Sequence, residues 1–93
     1  MTLVLEKHIT QSPDIRSGKA CLVNTRIAVS DIVTWHFRLG LSLDEIAAKY
    51  NLSLAAVYAA IAYYYDHQSE IDHEIESSLN DYYARKQTAP SLL

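Results

Sequence analysis

The chain has 93 residues, 8 Lys and Arg against 11 Asp and Glu, a net charge of −3 and 49% hydrophobic residues. That composition excludes a wholly disordered chain, and the length points to one small domain with little room for a deep catalytic cleft. Cys21 is the single cysteine, so an intrachain disulfide and a cysteine-based zinc site are both ruled out.

A reducing, cytoplasmic setting is expected. The longest mostly apolar stretch, Leu54 to Tyr65, falls short of the ~20 residues of a membrane span. The Leu3–Leu5 run is too brief for a signal peptide. Charge is unevenly spread. Residues 1–50 carry six basic and five acidic side chains, whereas residues 51–93 carry two and six. No Lys or Arg occurs from Asn51 to Ala84. Any grip on phosphate must come from the first half or the far C-terminus.

In chain order, Ser12-Pro13-Asp14 reads as a turn. Cys21–Val23 and Arg26–Val29 read as two short strands of a hairpin about Asn24-Thr25, since Asn tolerates the left-handed conformation of a tight turn. Helical spacing begins at Ser30, which reads as the cap, with Val29, Ile32, Val33 and Phe37 on one face and Gly40 at the expected C-terminal stop. Ser42-Leu43-Asp44-Glu45 is a capping box, flanked by the apolar pair Leu41 and Ile46. Ser53 caps a third helix, with Leu52 and Val57 as its flanking pair. The expected fold is mainly α. A β-hairpin arm spans 1–29, a three-helix core 30–65, an acidic C-terminal helix 66–86 and a tail 87–93. The core reads either as a helix-turn-helix or as a tri-helical unit with no DNA role.

From Leu54 an apolar series continues through Val57, Ile61, Tyr64, Gln68, Ile71, Ile75, Ser78 and Tyr82, alternating steps of three and four. Its first half can pack on the domain's own helices. The second half outruns the domain, so a second chain is expected to cover it. The polar run Asp66–Ser69 predicts a bend or a fresh helix, with Ser69 as its cap. The expected interface residues are Glu70, Ile71, Glu74, Ile75, Leu79 and Tyr82, in a homodimer or a partner complex.

Chemistry-bearing residues are sparse. His67, Glu70 and Glu74 share one helical face, a set that serves more often as a solvated face than as a metal site. No phosphate-loop, nucleophile-elbow or zinc-protease motif occurs. The reading is no enzyme, no cofactor, no metal and no small-molecule substrate. Leu54 to Tyr65 offers bases only alanine, tyrosine and aliphatic side chains, a poor reading set. DNA binding is therefore expected to be weak and carried by Arg16, Lys19, Arg38 and Lys49 on phosphates.

The run Ile9 to Ile27 resembles the opening of a bacterial family, domain of unknown function 433. It matches at Gly18, Lys19, Thr25, Arg26, Ile27 and Val29. Ala20 stands where proline is usual and Asn24 where glycine is usual. Leu39–Ile46, Leu52-Ser53, Tyr63–His67 and Glu70–Asp72 resemble later parts of the family, so the resemblance spans roughly residues 8 to 76. It implies a homeodomain-like helix-turn-helix core and an antitoxin-like role beside a small PIN-type ribonuclease toxin. Arg26 in the Thr-Arg-Ile motif then reads either as a structural ion-pair partner or as a DNA contact. The alternatives to an antitoxin are a stand-alone regulator and an assembly module without DNA.

Overall fold

The computed structural model of the chain describes residues 7–88, with side chains described through Ala84. Residues 1–6 of the expected arm and 89–93 of the expected tail lie outside it. Strands β1 (Ile9–Thr10) and β2 (Cys21–Leu22) pair antiparallel, with Ile9 opposite Leu22 and Thr10 opposite Cys21. The partner of β2 is thus chiefly an upstream segment. On its other side the expected second limb survives as a single bridge between Cys21 and Ala28. The turn between them forms as its residue types dictate. Asn24 takes a φ of 63°, Thr25 Oγ1 donates to the Leu22 carbonyl at 2.9 Å, and Ile27 N donates to Thr25 Oγ1 at 3.0 Å. Thr25 therefore supplies the hydrogen bonds that a two-residue turn leaves unmade.

Helix α1 (Val29–Val33) continues as a π-helical turn over Thr34–Arg38. Ser30 does not cap it. Ser30 is buried inside the first turn, and Asp31 Oδ2 instead accepts the Ala28 N–H at 3.0 Å. Gly40 closes the segment with a φ of 78°, a region that costs an L-residue about 1–2 kcal/mol. Helix α2 (Leu43–Lys49) starts at the reciprocal box. Glu45 N donates to Ser42 Oγ at 3.0 Å and Ser42 N donates to Glu45 Oε1 at 2.8 Å. The backbone N–H of Ser42 holds the Glu45 carboxyl below its ordinary range. Replacing Ser42 by Ala should cost about 1 kcal/mol. An unchanged urea midpoint would refute the cap.

Helix α3 (Leu54–Asp66) begins at Ser53, whose Oγ accepts from Ala56 N at 3.1 Å. The expected break follows. His67 leaves helical geometry at φ −132° and ψ 38°, and α4 (Gln68–Thr88) sets off in a new direction. Tyr64 Oη donates to Asp72 Oδ1 at 2.8 Å and ties the two helices across the bend.

The core joins Leu22 of β2, Val29 and Ile32 of α1, Ile46 of α2, and Val57 and Ala60 of α3. Ile71 and Ile75 of α4 complete it at 1% and 6% exposure. This corrects the expectation that a second chain covers them: the bend turns α4 back onto α1, and α1 packs on both α3 and α4. From Glu76 to Ala84 every residue of α4 is exposed. No helix among the described residues is long and apolar enough to cross a membrane.

Candidate interaction surface

The tight turn Arg16–Gly18 builds the most distinctive local feature. Arg16, Ser17 and Gly18 take successive φ values of 51°, 58° and 84°. A left-handed run is costly for the first two, and its consequence is visible. It throws the Arg16 side chain across to α1, where Nη1 donates to Asp31 Oδ2 at 2.9 Å and to the Arg26 carbonyl at 2.8 Å. The Asp31 hydrogen bond raises the Arg16 pKa further above its ordinary value. One Asp31 oxygen thus serves both the ion pair and the first turn of α1.

Arg26 itself is exposed, and Arg16–Asp31 is the one ion pair among the described residues. The structural ion pair therefore falls to Arg16, while Arg26 contributes its carbonyl. No sequence motif announced Asp31. The available signal was a carboxylate in a first helical turn.

Between this turn, α1 and α4 lies a cleft of about 320 Å³. Arg16, Lys19 and Arg38 line it together with Leu39, Ile75 and Leu79. Three of the four cations expected to meet phosphate are brought together. Lys49 is not among them; its Nζ sits 5.7 Å above the Tyr50 ring, which stacks on Trp35 at 4.2 Å. Leu39 and Leu79 are exposed at the cleft, at 65% and 38%.

Of the expected interface set, Ile71 and Ile75 are committed to the chain's own core. Glu74 is also drawn inward. Its Oε1 is buried without a hydrogen-bond partner, and burial pushes its carboxyl up, opposed by the cations Lys19 and Arg16. Glu70, Leu79 and Tyr82 remain exposed. His67 Nδ1 lies 3.1 Å from the Tyr63 carbonyl and its ring stacks on Tyr63 at 4.0 Å. Among the described residues no cluster of His, Cys, Asp and Glu is placed to hold a metal ion. Cys21 is buried, and that burial pushes its thiol up, so it is a poor nucleophile.

The exposed face of α3 consists of Leu54, Ala55, Tyr58, Ala62 and Tyr65 and ends at the exposed Asp66, with the Phe37 ring 6.4 Å from that of Tyr65. It holds no cation and no amide side chain. Base edges are read by Arg, Lys, Asn or Gln, so this face offers them little.

The model of the family described as "Protein of unknown function (DUF433)" matches residues 9–64. That span runs from β1 to the buried Tyr64 and takes in the turn, the cation cluster and the first three helices. The chain belongs to the DUF433 family. A DUF433 member from Anabaena variabilis, solved by crystallography, is similar at 33% identity with a TM-score of 0.71, over 77% of this chain and 71% of that one. No curated protein matches the chain. The matched span ends before α4, so the exposed helix lies beyond what the DUF433 model describes.

Proposed function

We propose that this DUF433 protein is a non-enzymatic, antitoxin-like binding module. A homeodomain-like helix-turn-helix core, made by α1, α2 and α3, carries a C-terminal acidic helix that docks on a basic protein. A PIN-like ribonuclease toxin is the partner of choice, because a nuclease presents a cationic nucleic-acid surface that an acidic helix can cover.

The observation that carries this reading is the abrupt loss of cover along α4. Ile71 and Ile75 anchor the helix in the core, and from Glu76 to Ala84 every residue is exposed. A helix of low intrinsic stability gains from packing an amphipathic face. Glu76 and Leu79, one turn apart, supply such a face, with acid beside an apolar side chain, Asp81 adds charge on the flank, and no Lys or Arg interrupts the segment before Arg85. The anchored half presents the exposed half to a groove.

Operator binding belongs to the same proposal as a secondary activity. The grouping of Arg16, Lys19 and Arg38 favours phosphate contact, and a face of α3 without cations or amides favours weak, sequence-tolerant binding.

The test is co-expression with a PIN-type ribonuclease. The full chain should co-purify with it and relieve its toxicity. A Glu70→Lys, Glu76→Lys, Asp81→Lys chain should do neither at physiological salt, chiefly through slower association. Unimpaired neutralisation by the charge-reversed chain would overturn the assignment of α4.

A further inference from the structure

We infer that the basic cleft beside α4 is the seat of α4 from a second copy of this chain. Three observations meet there. The cleft gathers Arg16, Lys19 and Arg38, and neither Lys19 nor Arg38 forms an ion pair among the described residues. Its apolar wall includes Leu39 and Leu79, both exposed. The segment that matches it chemically is on the same molecule: the uncovered half of α4, where Leu79 is flanked by Glu76 and Asp81.

Because α4 is itself a wall of the cleft, a two-fold axis close to Leu79 satisfies both copies at once. Two antiparallel α4 helices crossing there set each Leu79 against the apolar wall of the other copy. The same operation sets each Glu76, one turn from Leu79, toward the other copy's Arg38 and Lys19, while Asp81 adds negative potential from the flank of the crossing. A contact of this kind is isologous and closes as a dimer. It also joins the two unlike charge regions of the chain, the cation-bearing first half and the acidic second half. Opposite potentials meet without burying the cations unpaired.

This dimer uses the helix that the proposed toxin complex needs. A basic partner that takes α4, or a phosphate backbone that takes the cations, would displace the second copy, and the cleft would hold α4 in their absence. Dimerisation is measured with no other protein present, so its failure leaves partner binding standing, and failed partner binding leaves the dimer standing.

The experiment is sedimentation equilibrium on three full-length chains: the wild type, Arg38→Glu, and Glu76→Lys with Asp81→Lys. All three substituted positions are exposed, and an unchanged thermal midpoint confirms the fold. The wild type should dimerise at about 100 μM or below, more weakly as salt rises. Each variant alone should dimerise at least ~10-fold more weakly, and an equimolar mixture of the two should recover the dimer, because mixing restores opposite charges on both sides. A Leu79→Cys chain should form a disulfide-linked dimer under mild oxidation, with no background from Cys21, which is 1% exposed. A monomeric wild type, or a mixture no better than its components, would overturn the inference. So would loss of duplex DNA retention in Arg38→Glu with the dimer intact, which would make the cleft a phosphate site.

Discussion

Ile71→Asp is expected to unfold the chain itself, at any protein concentration. Ile71 is 1% exposed and belongs to the core that α4 shares with α1 and α3. Truncation to alanine there should cost about 2–5 kcal/mol, the transfer term plus a cavity. Aspartate adds the cost of placing a charge in the apolar core. A domain of this size has about 5–14 kcal/mol of stability in total, so the aspartate variant loses most of it. Leu79→Asp is the control, because Leu79 is one of the uncovered residues of α4. Its monomer should keep its urea midpoint within ~0.5 kcal/mol at dilute concentration. Far-UV circular dichroism decides the matter. A folded, merely dissociated Ile71→Asp chain would mean that α4 is not part of the core.

Which features the sequence disclosed follows from how local their causes are. The box at Ser42 and Glu45 and the cap at Ser53 are made by side chains reaching backbone three residues away, so they can be read in a short window. Asn24 in the left-handed region and the break at His67 are equally local. The partner of β2 was not legible. A two-residue strand at Ile9–Thr10 carries no periodicity, and its pairing is decided by where α1 and α3 leave space. The start of α1 was misplaced because Ser30 looks like a cap, whereas Asp31 makes the bond. The apolar series through Ile71 and Ile75 was read correctly as buried but assigned to the wrong cover. Spacing states that a face is covered, and only the bend at His67 states by what. For the site, composition picked out Arg16, Lys19 and Arg38 as cations. Their meeting beside Leu79 depends on the left-handed turn at Arg16–Gly18 and on the return of α4, and no sequence window contains both.

Asp31→Ala should cost about 2–3 kcal/mol, and Asp31→Asn about half of that. The two substitutions separate two roles of one carboxylate. Its bond to the Ala28 N–H stands in for the cap that Ala28 cannot supply, worth about 1 kcal/mol. Its pair with Arg16 is half-buried, the two side chains being 32% and 28% exposed. The pair therefore lies between the ~0–1 kcal/mol of a surface pair and the ~3–5 kcal/mol lost on breaking a buried one. Asparagine can keep the first role and weakens the second; alanine removes both. The loss should be felt in the turn as well as the helix. Arg16 and Ser17 hold φ values of 51° and 58° against a cost of about 1–2 kcal/mol each, and the Asp31 bond is the charged one among the side-chain tethers that oppose relaxation, beside those from Arg16 to the Arg26 carbonyl and from Gln11 to the Gly18 carbonyl. Amide exchange at Gly18 and Lys19, whose N–H groups bond the Ile15 and Arg16 carbonyls, should quicken in Asp31→Ala more than the global loss of stability explains. An Arg16→Ala, Asp31→Ala cycle should return a coupling of at least ~1 kcal/mol. If the two substitutions prove additive and exchange at Gly18 follows global unfolding alone, the ion pair does not hold the turn, and the cleft it borders owes its shape to backbone packing instead.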